Sequence, residues 1–197
     1  MQRIIRKIPA WIVYLIGLVP AVLLFRAAIY NQLGPDPLAT LENELGEWAL
    51  KFLIAVLLIT PLLRFARLNL IKFRRPLGLL AFSYVVLHFT VYLWLDRQWD
   101  WWTIWEDILK RPYITIGTAA FLLMLPLAIT SNNASVKKMG TTAWRNLHRL
   151  AYPAAIFGAV HYVLLEKTWE PEALTYLAIL LALVSLRIVW RSKEKGR

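Results

Sequence analysis

Between Arg74-Arg75-Pro76 and Asp96-Arg97 lies the stretch Leu77–Leu95, LGLLAFSYVVLHFTVYLWL, and its reading decides the fold. It carries no charged residue and a single imidazole, His88. Coiled as an α-helix, about 20 such residues match the thickness of a bilayer's hydrocarbon core. Apolar and polar residues do not alternate with the two-residue period of a barrel strand, and lipid leaves an isolated span only the helical solution. Pro76 stands just before the run, where a missing amide proton costs nothing. Basic residues flank one end and an acid the other, so the segment also has a direction.

Five further windows of the same kind occur: Ala10–Tyr30, Trp48–Leu63, Tyr113–Ile129, Leu150–Leu165 and Ala173–Trp190. Asn31 through Pro37 closes the first, and Pro112 and Pro171 stand shortly before two of the others. The expected fold is an all-α integral membrane protein, a six-helix transmembrane bundle. Charge sorts the loops. The N-terminal tail (Arg3, Arg6, Lys7), the segment Arg64 to Arg75, the segment Lys137 to Arg149 and the C-terminal tail from Arg187 hold 17 of the 23 Lys and Arg residues. The intervening loops and adjoining span ends hold 11 of the 12 acids: Asp36, Glu42, Glu44, Glu47, Asp96, Asp100, Glu106, Asp107, Glu166, Glu170 and Glu172. The positive-inside rule then puts both termini in the cytoplasm and the acidic loops outside. The first apolar run exceeds a signal peptide's core, and Arg26 interrupts the cleavage zone, so a retained helix is expected.

The 197 residues are 59% apolar, with 10 Trp, a mean hydropathy of +0.52 and a net charge of +11. In a soluble domain such a charge suggests nucleic acid. Here the basic residues follow topology and face anionic lipid, and nucleic-acid binding is excluded from the reading. The chain lacks cysteine, which removes disulfides, thiolate metal sites, iron–sulfur clusters and covalent haem attachment. Trp99, Trp101, Trp102, Trp105 and Trp169 cluster in the outer loops, while Trp11, Trp144 and Trp190 lie near inner ends. That is the pattern of an interfacial belt.

Six spans leave no loop long enough for a catalytic domain, so any chemistry lies within the bundle. No Asp or Glu falls deep in a span, and Lys51 and Arg26 sit where they can snorkel. The three histidines of the chain, His88, His148 and His161, belong to the third and fifth spans, which run in the same direction. His88 and His161 fall at similar depth near the outer side, as a bis-axial haem site requires. His148 lies about 20 Å lower, a spacing suited to a second haem. Two features complicate that inner site. His148 and His161 are separated by a rotation of about 220° on a straight helix, which a kink at Pro153 would change. The residues level with His148 on the third span are Arg74 and Arg75, better partners for haem propionates than for iron. Tyr84, Tyr92, Tyr152 and Tyr162 are candidates to orient the imidazoles. The basic rim of Arg64, Arg67, Lys72, Arg74, Arg75, Arg145 and Arg149 suits propionates, a flavin phosphate or anionic lipid.

Several short stretches, most of them close to these residues, form an ordered series: Ala49–Leu53 (ALKFL), Leu58–Leu62 (LITPL), Arg74–Leu79 (RRPLGL), Leu87-His88, Arg111–Gly117 (RPYITIG), Leu127–Ser131 (LAITS), and Trp144 through Leu147–Leu150 (LHRL) to His161-Tyr162. In order and spacing they resemble the haem-binding membrane subunit of the bacterial periplasmic protein-methionine-sulfoxide reductase system, the MsrQ or YedZ family, within the ferric-reductase-like transmembrane group. The resemblance runs from the first span to the sixth and implies one transmembrane haem domain over residues 1–197.

What the resemblance implies is a b-type cytochrome of the bacterial inner membrane. It would take electrons from quinol, or from a cytoplasmic flavin reductase, and pass them to a periplasmic molybdopterin-containing enzyme that reduces methionine sulfoxide in damaged proteins. Sulfoxide reduction itself is then expected in the partner. Haem b is the implied cofactor, with His88, His148 and His161 as ligand candidates, Arg74 and Arg75 at the inner site and Arg149 on the cofactor-binding rim. One haem is expected, and a second site stays open. FMN enters through the resemblance alone. Unlike ferric reductases and NADPH oxidases, the chain has no G-x-G-x-x-G segment, so it is not expected to oxidise NADPH unaided. Two other classes remain: a small transporter, hinted at by Pro20, Pro126 and Pro153, and a haem-free assembly subunit.

Overall fold

The computed structural model describes residues 2–165 and 170–195, except for the side chains of residues 3, 4, 6 and 191–195. Glu166, Trp169 and Arg197, and the side chains of Arg3, Arg6, Arg191, Lys193 and Lys195, therefore lie outside the described residues. The chain divides into two compact units, Met1–Lys110 and Arg111–Arg197. Every regular element among the described residues is helical. The first unit contains α1 (Gln2–Lys7), α2 (Trp11–Ile29), α3 (Pro37–Phe65), α4 (Arg74–Val91) and α5 (Trp101–Lys110). The second contains α6 (Pro112–Ile129), α7 (Asn133–Met139), α8 (Thr141–Leu147), α9 (Ala151–Leu165) and α10 (Pro171–Lys195).

Among the described residues, five segments are long and apolar enough to cross a membrane: Trp11–Ile29, Pro37–Phe65, Ile71–Asp96, Pro112–Ile129 and Pro171–Trp190. The sixth expected window, Leu150–Leu165, is helical but shorter. Its α-helical part has 15 residues, about 22 Å of rise, because His148–Leu150 forms a 3₁₀ turn. Pro153 sits in the first turn of α9, where proline is tolerated, so it does not interrupt the helix. Two helices extend beyond the apolar windows. α3 begins at Pro37 rather than near Trp48, because Asp36 accepts the Ala39 amide at 3.0 Å and Pro37 occupies the first turn. Residues 101–110, expected as loop, form α5, capped by Asp100, whose carboxylate accepts the Trp102 and Thr103 amides and the Thr103 hydroxyl. Those bonds, the Thr103 hydroxyl's foremost, hold the Asp100 carboxyl below its ordinary pKa. α5 is amphipathic, burying Ile104 and Asp107 while Trp101, Trp102, Trp105 and Leu109 remain exposed.

The first unit packs through a stripe on α3. Leu41, Leu45, Ala49, Leu53 and Leu57 are all buried, as i, i+4 spacing on one helix face demands. Facing residues of α4 include Tyr84, which is fully buried against Trp48 and Phe52, with ring centroids 6.3 and 5.2 Å away. The Tyr84 hydroxyl donates to the Gly17 carbonyl (2.8 Å) and accepts the Ala21 amide (2.9 Å). It thus bridges two groups of α2 that an uninterrupted helix would join directly, beside Pro20, which has no amide proton to give. Gly17 makes the approach possible, since a methyl there would run into the Leu80 side chain. In lipid, where apolar burial supplies little net drive, such close packing and internal hydrogen bonding hold helices together.

The second unit uses smaller residues. Ala154, Ala155 and Ala159 of α9 are completely buried, Ala120 and Met124 of α6 nearly so, and α10 contributes Ala173 and Leu180. Charges within long helices find local partners. Lys51 pairs with Glu47 at 2.6 Å and lies 4.8 Å from the Trp48 ring centre, while Arg26 lies 5.6 Å from that of Tyr30.

Candidate functional site

The histidines expected to carry the chemistry sit on two helix pairs, one in each unit. His88 is near the C-terminal end of α4, and its Nδ1 donates to the backbone carbonyl of Glu42 on α3 at 2.8 Å. His161 lies in the same part of α9, and its Nδ1 donates to the carbonyl of Tyr113 on α6 at 2.7 Å. A carbonyl only accepts, so both bonds put the imidazole proton on Nδ1 and the ring's lone pair on Nε2. That is the tautomer a metal-ligating histidine needs when it coordinates through Nε2. Both imidazoles are half-buried.

His148 is held differently. Its Nε2 lies 3.0 Å from the Thr130 hydroxyl, which gives its own proton to the Pro126 carbonyl at 2.6 Å. The imidazole therefore donates through Nε2, and its tautomer is opposite to that of the other two. The Trp144 indole stacks on the ring, with centroids 3.8 Å apart, and donates from Nε1 to the Thr130 carbonyl at 2.8 Å. Coordination through His148 Nε2 requires that the contact with Thr130 be given up. The 3₁₀ segment His148–Leu150 turns about 120° per residue rather than 100°, which brings His148 about 60° closer to the His161 face than a straight helix allows.

The arginine pair separates. Arg74 is half-buried and donates from Nη2 to the Thr60 hydroxyl of α3, whereas its neighbour Arg75 is exposed. Arg149 is also exposed. Three of the four tyrosines expected to orient the imidazoles have hydroxyl contacts elsewhere: Tyr84 on α2, Tyr92 on Asp107 at 3.0 Å, and Tyr152 beside Arg187 at 3.5 Å. The Tyr162 ring lies 6.2 Å from that of Tyr176. Backbone carbonyls take the expected tyrosine role, which residue identity cannot reveal, because every residue has one. Sequence reasoning also misses Thr60 and Thr130 as partners, and Trp144 as more than a belt residue. All three fall within the stretches quoted above, but their contacts depend on helix pairing.

Among the described residues, no three His, Asp or Glu side chains gather as a cage for a bare metal ion. Single imidazoles with the proton on Nδ1 suit a metal that brings its other ligands with it, as a haem does.

Comparison with known proteins settles the family. The ferric reductase like transmembrane component matches residues 45–159, which include His88 and His148. Over 181 residues, the chain is 45% identical to the protein-methionine-sulfoxide reductase heme-binding subunit MsrQ of Brucella ovis. The match covers 92% of this chain and 80% of that protein, and the MsrQ proteins of Brucella canis and Brucella melitensis biotype 2 match equally. The chain belongs to the MsrQ family. It is accordingly a helical, multi-pass membrane protein with a ferric-reductase-like transmembrane region. No solved structure matches it.

Proposed function

We propose that this member of the MsrQ family is the b-type cytochrome subunit of a methionine-sulfoxide-reducing system, in which His88 and His161 would be the imidazoles that hold haem. The observation that carries the proposal is the pair of Nδ1-to-carbonyl bonds, 2.8 Å at Glu42 and 2.7 Å at Tyr113, which prepare both rings in the same coordinating tautomer. The relatives' printed name, heme-binding subunit, supports the same cofactor. When bound, haem supplies one-electron transfer. The chain's part is to hold the porphyrin in an apolar surrounding and exclude water. By accepting the Nδ1 proton bond, the two carbonyls also make each imidazole a stronger donor.

One haem is proposed and a second stays open, for which His148 would be the ligand candidate and Arg74, Arg75 and Arg149 the candidate partners of propionates. The expectation extends to six crossings of the inner membrane, with α9 and its preceding 3₁₀ turn as the fifth, and both termini cytoplasmic. Residues 1–197 are also proposed as one transmembrane haem domain. Electrons would arrive from quinol or a cytoplasmic flavin reductase and leave to a periplasmic molybdopterin enzyme that reduces methionine sulfoxide, and FMN enters through the family relationship alone. The charge pattern supports this orientation, and the family relationship supports the acceptor.

The test is a reduced-minus-oxidised spectrum and pyridine haemochrome assay of protein purified from haem-replete cells. A b-type Soret and α-band, with at least one haem per chain, is expected. A colourless protein overturns the proposal.

A further inference from the structure

The carbonyls that hold His88 and His161 share a feature that the histidines alone do not reveal. In each case the residue four positions farther along the helix is glycine: Gly46 after Glu42, and Gly117 after Tyr113. In an α-helix, position i+4 lies on the same face as the carbonyl of residue i, so a side chain there stands where a neighbouring ring must approach that carbonyl. A Cβ at Gly46 would lie 3.3 Å from His88 Nδ1 and 3.4 Å from its Cε1. At Gly117 it would lie 2.8 Å from His161 Nδ1, 3.0 Å from Cε1 and 3.1 Å from Cγ. By contrast, a Cβ at Gly78, on α4 itself, would meet nothing within 4 Å.

We infer that Gly46 and Gly117 are positioning residues for haem, each leaving the space that lets an imidazole reach the carbonyl one helical turn earlier and so fixing its proton on Nδ1. The inference rests on the haem reading above. Neither glycine touches the cofactor in this account; each acts through its histidine. The two sets of distances also predict an order. At Gly46 the ring must yield by a few tenths of an ångström, whereas at Gly117 a methyl cannot coexist with the ring's present bond to Tyr113.

The experiment compares wild type, Gly46→Ala, Gly117→Ala and Gly78→Ala, purified alike, by haemochrome content, optical spectrum and redox titration. Gly78→Ala is expected to match wild type. Gly46→Ala is expected to bind haem about 10-fold more weakly and Gly117→Ala about 100-fold, the range over which outer-shell partners act. Haem that remains should titrate at a higher midpoint potential, because an imidazole that loses its Nδ1 bond donates less to ferric iron. Gly17→Ala provides the structural control: it strains packing against Leu80 without touching either histidine, and should lower thermal stability while leaving the potential of bound haem unchanged. The inference is overturned if Gly46→Ala and Gly117→Ala keep wild-type haem content, spectrum and potential, or if Gly17→Ala shifts the potential as they do. A colourless wild type overturns the haem reading instead, and this inference with it.

Discussion

Helix pair α3–α4 and helix pair α6–α9 spend similar residues at one end and different ones at the other. At the first end each has a histidine bonded to a carbonyl one turn before a glycine. At the opposite end each has a threonine, but Thr60 meets Arg74 whereas Thr130 meets His148. The register agrees closely. Arg74 precedes His88 by 14 residues and His148 precedes His161 by 13. Fourteen α-helical residues rise about 21 Å, and so do about ten α-helical and three 3₁₀ residues, so the 3₁₀ turn makes up for the missing residue. The lesson is that the histidine count is asymmetric for a local reason: arginine stands in the first pair where histidine stands in the second.

The largest test of this comparison is removal of the two histidines proposed to hold haem. His88→Ala and His161→Ala should each abolish most haem binding, measured as haemochrome per chain, and full retention in either variant would show that assignment to be wrong. His148→Ala should lose only part of the bound haem, and a loss as complete as that of His161→Ala would place His148 among the principal ligands. The units also differ in stability devices. In the first, the Arg97 guanidinium lies 2.7 Å from buried Asp107, while Asp96, at 3.4 Å, is more exposed. Asp107→Ala removes the better-placed partner of a largely buried cation and should cost about 3 kcal/mol, read as a lower denaturation midpoint in detergent. Tyr84→Phe removes the bridge to Gly17 and Ala21 and should cost about 1–3 kcal/mol, with the haem spectrum unchanged. The smallest effect is expected from Thr130→Val, about 1 kcal/mol, with any spectral change confined to haem near His148.

Long uncharged runs make most of the architecture legible, since lipid permits few backbone solutions. The same criterion misses α5 and residues 37–47 of α3, because both are amphipathic or capped rather than uniformly apolar. It also treats residues 148–150 as ordinary helix, where a 3₁₀ turn leaves α9 too short to count as a span on its own. Within the site, His88, His148 and His161 stand out because imidazoles are rare and costly in lipid. Their partners do not, because a backbone carbonyl has no signature in residue identity.

Residue chemistry and order were therefore enough to establish a helical membrane protein, its family, and three imidazoles as the groups to watch. Only the packed helices decided which nitrogen of each ring carries its proton, that Arg74 and Arg75 part company, and that Gly46 and Gly117 stand against the rings. The physical reason is distance along the chain: apolar length is a property of neighbouring residues, whereas Glu42 meets His88 across 46 residues and Tyr113 meets His161 across 48.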